Sequence, residues 1–452
     1  MPQPSPQHVV LIVGGAVAGS EAAFRFAERG IRCVVLDQND RPYGKIEDGL
    51  PRWHVNLRAQ EEKKIDDKLA HPLVHFVPRT KLGRDLQLQD GLQWGPSAIV
   101  LATGAWRDRP LPLPGIDGFV GRGLHYQNPL VCWFNHYPED DYHGPSVEPT
   151  DGALIVGGGL ASLDVVKIVM LETVQRRLLA QGHEVALYEL ERTGIGKSLD
   201  ALGLRLSDLG LQGCTLIYRR RVEDMPLLEI PEGATPAQAE KARATRRRLL
   251  ENFRDKYLFA FHDQRVPVGY RTADGRLSGL TLAATEMQHG RLATLEGTAQ
   301  AVSSPMIVSS IGSIPEPIPG IAERGELYDF SDRELGRIAG YDTVFGAGNA
   351  ITGKGNIAAS RRHSIEVATR LIEEFLGLGE GMHAGEEQLL ESITTPVDDS
   401  VHKIADWMGT RPPLDNAQIE AIMRRVRTRQ QAVGYTGAYR DWIRRHAPAD
   451  AA

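Results

Sequence analysis

Leu11–Ala23 reads LIVGGAVAGSEAA: an apolar run, two glycines, a third glycine at 19, and the opening of an alanine-rich helix. A phosphate-binding turn wants Gly-x-Gly-x-x-Gly directly after a strand and at the mouth of a helix. Gly14 and Gly19 hold the outer positions, with Gly15 between them, and Ala16 stands in the middle one. The flanks decide between a nucleotide site and a bare turn. Val9–Val13 is a β-branched run suited to a buried parallel strand, Ser20–Arg29 reads as a helix ended by Gly30, and Arg32–Leu36 as a second strand closing on Asp37. That acid lies 23 residues after Gly14, near the ~20 expected of a ribose-binding carboxylate. A methyl at Ala16 shifts the backbone slightly from a phosphate but leaves the helix N-terminus facing it. The stretch reads as a working nucleotide site with a looser phosphate contact.

The same grammar returns at Ala153–Val156 followed by GGGLASLDVVKIV, where Gly157 and Gly159 fit, Leu160 opens the helix and Ser162 replaces the third glycine. Each copy also has a matching exit. AIVLATG (Ala98–Gly104, carrying Thr103 and Gly104) runs into RPLPLPGID, and MIVSSIG (Met306–Gly312) into IPEPIPGI. Two such turns with two such exits imply two dinucleotides in one chain, for which FAD with a nicotinamide cofactor is the usual chemical pair. The expected fold class is α/β. Two Rossmann-like dinucleotide-binding domains are expected, FAD on 1–106 plus 337–452, and NADP on 107–336 inserted into it, both as parallel layers. Residues 395–452 read as mainly helical, packing on the FAD domain or mediating association.

Bulk properties exclude several classes. With 452 residues the chain is too long for one ordinary core. Its net charge of −6 does not favour nucleic acid. No apolar run approaches a membrane span, and MPQPSPQH lacks the basic flank of a signal peptide, so the expected location is cytoplasmic. Cys33, Cys132 and Cys214 are far apart, with no C-x-x-C, zinc spacing or iron–sulfur ligand set. The acidic loop Glu139–Tyr142 shows no octahedral pattern, and no metal is assigned.

With these motifs in hand, the chain resembles the adrenodoxin-reductase-like ferredoxin–NADP reductases and the related small subunit of glutamate synthase, from about Val9 to Leu376, with a weaker echo in Val401–Leu414. The family's FAD fingerprint falls on Gly14, Ala16 and Gly19, its acid on Asp37, and its APDH segment on PRWH, so the resemblance puts a histidine near the flavin at His54. The second fingerprint with its trailing Leu-Asp falls on Gly157, Gly159, Leu163 and Asp164. CTLIYRRRVEDMP (Cys214–Pro226) is similar to the Y-R-R…M-P of the glutamate synthase subunits, and FGAGNAITGKGNIAAS (Phe345–Ser360) to the segment closing the family's FAD site. The reductases' tryptophan beside the flavin aligns with Gly348 and the acid of the alternative version with Asn349. The cysteine-rich N-terminal part of the glutamate synthase subunits is absent.

The resemblance implies FAD contacts from Gly14, Gly15, Ala16, Gly19, Asp37, Gly44, Thr103, Gly104, Gly348 and Asn349, with Gly355, Asn356 and Ile357 opening a helix toward the flavin. Gly157, Gly159, Leu160 and Ser162 belong to the second cofactor. GNAITGKG mimics a Walker A loop, but Gly355 stands where Ser or Thr must bind magnesium, which rejects an ATPase. Arg219, Arg220 and Arg221 follow a strand where an adenosine ribose lies, and forked guanidinium donors favour the 2′-phosphate of NADPH. A competing strand, His183–Arg192, would offer Glu189 to NADH. His54 and Asp164 are the expected catalytic pair, relaying protons. Basic stretches at Ala237–Tyr257, Arg361–Arg362 and Met423–Arg429 would dock an acidic ferredoxin or flavodoxin; a solvated face is the plainer reading of each. The leading function is an NADPH-dependent flavoprotein oxidoreductase feeding such a carrier. The alternatives are a flavin subunit of a larger redox complex and a non-catalytic nucleotide-gated flavoprotein.

Overall fold

The computed structural model describes residues 7–140, 142–228, 230, 233–348, 351, 373, 376, 378 and 386–447, with the backbone alone at 386–396. Asn349, Gly355, Asn356, Ile357, Arg361 and Arg362 therefore lie outside the described residues.

The first layer is laid down by β1 (Val9–Val13), α1 (Val17–Glu28), β2 (Arg32–Leu36), α2 (Lys45–Asp48), α3 (Val55–Leu69), β3 (Val74–Val77), α4 (Leu88–Gln93) and β4 (Ala98–Leu101). β1 sits between β2 and β4, parallel to both. Every residue of β1 is buried because both faces of the sheet are covered. Val10 and Ile12 join the core around Ala22, Ala23 and Phe26 of α1. Val9, Leu11 and Val13 join a second core with Ile422, Met423 and Val426. A two-faced strand of this kind reads as an unbroken apolar run, not as an alternation.

The chain leaves through β5 (Arg107–Asp108) to β6 (Leu124–Tyr126), α5 (Gln127–His136), β7 (Leu154–Gly157), α6 (Leu160–Ala180), α7 (Leu187–Thr193), α8 (Ile195–Ala201), β8 (Thr215–Ile217), α9 (Pro236–Tyr257) and β9 (Ala260–His262). After an excursion described below, β14 (Ile307–Ser310) completes a five-stranded sheet of order β6-β14-β7-β8-β9, parallel throughout. This is the second βαβ layer that the repeated glycine turn predicts. His183–Arg192 is not a strand: Leu187–Thr193 is helix α7, whose Leu187 and Leu190, three apart, are buried.

The excursion itself corrects the expectation of parallel layers alone. β10 (Arg265–Ala273), β11 (Arg276–Gln288), β12 (Arg291–Thr294) and β13 (Gln300–Ser303) form an antiparallel sheet. Its first turn is Asp274–Gly275 and its second His289–Gly290, all four at positive φ, as the tightest hairpins require.

The return strand β15 (Ser313–Ile314) pairs antiparallel with β5, so the two crossings run side by side. β16 (Glu323–Arg324) and β17 (Leu327–Tyr328) form a hairpin, then β18 (Phe330–Asp332), β19 (Arg337–Ile338) and β20 (Val344–Gly346) extend the first sheet beyond β4. Ile318, Ile321, Tyr328 and Phe330 already pack in the first layer's core, ahead of residue 337. Helices α10 (Glu386–Gly409), α11 (Asn416–Ala432) and α12 (Tyr439–Arg445) follow. α11 covers the first sheet through Ile422 and Val426, and α12 sets Tyr439 edge-on to Phe76 at 5.3 Å.

Candidate functional site

In both sheets the glycine turns stand at the carboxyl ends of parallel strands, where open α/β sheets bind ligands. Gly14 leaves β1 at φ +95°, and a Cβ there would meet the Ala102 carbonyl oxygen at 2.6 Å. Gly19 is tighter: its Cβ would fall 1.7 Å from the Gly14 carbonyl oxygen. Helix α1 opens behind Ala16 with no side-chain cap, so its first-turn N–H groups face the turn and suit an anion. Gly14, Ala16, Asp37, Gly44 and Thr103 line one cleft together with Trp106. Gly44, at φ +54°, has the Ala16 methyl 2.9 Å from its would-be Cβ. Gly104 follows at φ +69°. Gly348 also has positive φ, and Ala18 would meet its Cβ at 2.7 Å. A side chain at this position would therefore run into α1.

Asp37 does more than the sequence assigns to it. Its carboxylate accepts the Gly15 N–H at 2.7 Å and the Asn39 N–H at 2.9 Å, so it braces the glycine turn from beneath. Burial pushes its pKa up to about 6 against those two N–H groups. Thr103 is at the cleft too, its buried hydroxyl beside the Tyr328 phenol. An uncapped helix mouth and a carboxylate at the end of the second strand fit a dinucleotide.

At the second turn, a Cβ on Gly157 would meet the Ser310 carbonyl oxygen at 2.4 Å, and one on Gly158 the ring of Tyr218 at 2.1 Å. Gly159 caps α6, and Leu160 begins it. Ser162 can replace the third glycine because its hydroxyl turns back to donate to the Gly159 carbonyl at 2.6 Å. Arg219 and Arg220 follow β8 on the same edge, both exposed. Their backbone is tied to the antiparallel sheet, since Thr285 Oγ1 donates to the Arg219 carbonyl at 2.7 Å and the Gln264 N–H to that of Arg220 at 3.1 Å. Glu189, on α7, occupies no strand end.

His54 and Asp164 come from different layers and meet, with Nε2 and Oδ1 3.8 Å apart and both side chains buried. Behind them sits a group that sequence reading passed over. Lys167, three residues after Asp164 on α6, lies 4.3 Å above the Trp53 ring and 2.5 Å from Glu191 Oε1. Burial works against the Glu191 carboxylate, but Lys167 holds it below its ordinary range. A single lysine inside LASLDVVKIVML was the available signal. Lys45 was also missed. Its ammonium donates to Asn128 Oδ1 and Ser313 Oγ, each at 3.1 Å, and burial lowers its pKa to about 8 against the charge of Asp108.

The basic stretches are less open than their composition implies. On α9, Arg243 pairs with Glu240, Arg247 with Glu223 and Arg248 with Glu373, while Arg246 is buried against the carbonyls of Leu228 and Glu223. On α11, Arg427 pairs with Glu420, and Arg429 donates to Thr80. Among the described residues, no helix is long and apolar enough to cross a membrane.

Comparison with known proteins agrees with this architecture. Residues 8–193 match the family described as Pyridine nucleotide-disulphide oxidoreductase. An NADPH:adrenodoxin oxidoreductase of Arabidopsis thaliana is 30% identical over 172 residues, 38% of this chain and 34% of that protein. A glutamate synthase [NADPH] small chain of Mycobacterium tuberculosis is 27% identical over 35% of this chain and 33% of its own length. The matched stretch spans about a third of the length of these relatives. Among solved structures, Mycobacterium tuberculosis FprA in complex with NADPH superposes with a TM-score of 0.64 at 16% identity, covering 94% of this chain and 90% of that one. The chain is thus similar to both groups that its motifs resemble, and it shares the fold of FprA.

Proposed function

We propose that the chain is an FAD-dependent NADPH oxidoreductase, holding FAD at the first glycine turn and NADPH at the second, and delivering electrons to a separate one-electron carrier of the ferredoxin or flavodoxin type. The observation that carries this reading is the pair His54–Asp164, built from both layers, with Asp164 in the first turns of α6 behind the second glycine turn. When bound, FAD accepts hydride from a nicotinamide and yields electrons one at a time. The protein's own groups do the rest. The mouth of α1 holds the pyrophosphate, and Asp37 accepts from ribose hydroxyls while keeping the turn in shape. Arg219 and Arg220 chelate the 2′-phosphate. His54 and Asp164 hold and move a proton, since two electrons leaving singly from one NADPH leave one proton behind. We take 1–106 with the returning chain as the FAD part and the segment from 107 as the NADP part. Cys33 on β2, Cys132 on α5 and Cys214 before β8 stand on separate elements with no C-x-x-C pair among them, so the proposal routes no step through a dithiol.

The purified protein should carry one non-covalent FAD and be reduced by NADPH under anaerobic titration. A folded, colourless protein that takes up no added FAD overturns the proposal. A second reading, a flavin subunit within a larger complex, is supported by the likeness to glutamate synthase small chains. It prevails if no ferredoxin or flavodoxin is reduced faster than ferricyanide.

A further inference from the structure

Away from the cleft, three metal-ligating side chains converge where the two layers touch. Asp48 ends α2, while Cys132 and His136 stand one turn apart on α5, so they share a helix face. One ligand atom from each lies within 4.8 Å of the others. His136 Nε2 is 3.0 Å from Asp48 Oδ1, and its Nδ1 is 2.8 Å from Glu139 Oε1. The cluster is half-buried, with the His136 side chain 16% and the Asp48 side chain 23% exposed.

We propose that Asp48, Cys132 and His136 form a site for a zinc-class divalent ion, with solvent completing a tetrahedron. Bonds of about 2.0–2.3 Å at tetrahedral angles separate donor atoms by roughly 3.3–3.6 Å. Closure therefore needs only small side-chain shifts. Glu139 supplies the outer contact usual behind a metal-bound histidine, a carboxylate accepting from Nδ1–H, which leaves Nε2 aimed at the other ligands. One sulfur, one nitrogen and one carboxylate suit Zn²⁺ and similar ions rather than oxygen-seeking Mg²⁺ or Ca²⁺. Linear spacing hides the set because Asp48 arrives from the other layer.

The ion would compete with protons. Hydrogen bonding to Asp48, and then to Glu139, raises His136 above its ordinary value, while burial lifts Cys132 to about 11 with Asp48 and Glu139 adding to it. Arg58 on α3, facing Asp48 and Glu139, Tyr142 beside Cys132, and Asp37, whose carboxylate feels that of Asp48, are further ionisable neighbours among the described residues. Affinity should rise about tenfold per pH unit for each proton displaced. A bound ion would brace α2, which precedes His54, against α5, which packs on the helix carrying Asp164. Asn135 already donates across this junction to the carbonyls of Glu47 and Leu50, each at 2.8 Å.

The test uses the full-length flavin-loaded protein after chelator treatment. Co²⁺ titration should give one ion per chain with tetrahedral ligand-field bands to the red of the flavin. Zn²⁺ should displace it, and calorimetry in two buffers of different ionisation enthalpy should register proton release. Cys132→Ser and His136→Gln should each weaken binding at least ~100-fold, and Glu139→Gln about 10–100-fold. Wild-type affinity no tighter than that of Cys132→Ser overturns the site and leaves His136 as an ion-pair latch only. If a variant fails to fold, alkylation of Cys132 in the wild-type protein decides: Zn²⁺ should slow it, and an unchanged rate overturns the proposal.

Discussion

A single methyl group is enough to test the first turn. With Gly14's carbonyl oxygen 1.7 Å from the place where a Cβ on Gly19 would sit, Gly19→Ala cannot be absorbed without moving β1 or α1. We expect loss of flavin retention and a lower Tm, read by released-flavin fluorescence and thermal melting. Retained flavin would show that the turn does not hold the cofactor. Asp37 gives a pH prediction. Its pKa is raised from 3.8 to about 6 by burial, so the folded chain binds this proton more tightly than the unfolded one. For this group, cofactor-free stability is highest at low pH and declines as pH rises from about 4 to 6. Flavin retention should run the other way, because ribose hydroxyls need the carboxylate. Affinity should fall by up to ~10-fold per pH unit below 6, and Asp37→Asn should flatten the profile. A wild-type retention curve without slope between pH 5 and 7.5 would remove Asp37 from the ribose. The glycines were legible in the sequence because spacing alone encodes the turn. The grip of Asp37 on Gly15 was not, because it needs the register of β1 against β2.

At the scale of elements, the cofactor preference turns on which segment follows β7. HEVALYELER reads as a strand from its apolar alternation, yet from Leu187 on it folds as α7, where Leu187 and Leu190 reach the core and Glu191 meets Lys167. Tertiary packing overrides local propensity here. The strand that follows β7 and pairs with it is β8, and exposed Arg219 and Arg220 follow it, where we propose that the second cofactor's ribose lies. Replacing both by alanine should raise the NADPH requirement ~10²-fold, given about 1.5–3 kcal/mol for a charge-assisted hydrogen bond. The NADH requirement should change little, and Glu189→Ala should leave the ratio of the two unaltered. Steady-state kinetics with each cofactor checks both, and equal losses with NADPH and NADH would refute the arginine assignment. The antiparallel sheet that anchors these arginines had a readable signal in Asp274–Gly275 between two alternating runs. The repeat of the parallel grammar drew attention away from it.

For the whole molecule, the division of labour depends on two layers held in one relation. The paired crossings β5 and β15, the Lys45–Asn128–Ser313 contacts and the burial of Trp53 against Lys167 fix that relation. His54 and Asp164, one from each layer, are both buried. The resemblance could place each residue near a redox centre, but only the joined layers bring them to 3.8 Å. Charge counting was a poorer guide, because most of the arginines on α9 are spent on internal partners. The relay therefore offers the sharper test of function. Oxidising one NADPH with two one-electron acceptors releases one proton, whereas the hydride step itself releases none. His54→Gln and Asp164→Asn should accordingly spare NADPH binding and change the flavin-reduction half-reaction by less than ~10-fold. They should slow re-oxidation by a one-electron acceptor about 10²-fold, the lower range for a lost acid–base group. Stopped-flow measurement of each half-reaction in light and heavy water separates the steps, since the slowed one should acquire a solvent isotope effect. If both variants re-oxidise at the wild-type rate, the proton leaves by another route, and the pair only joins the layers.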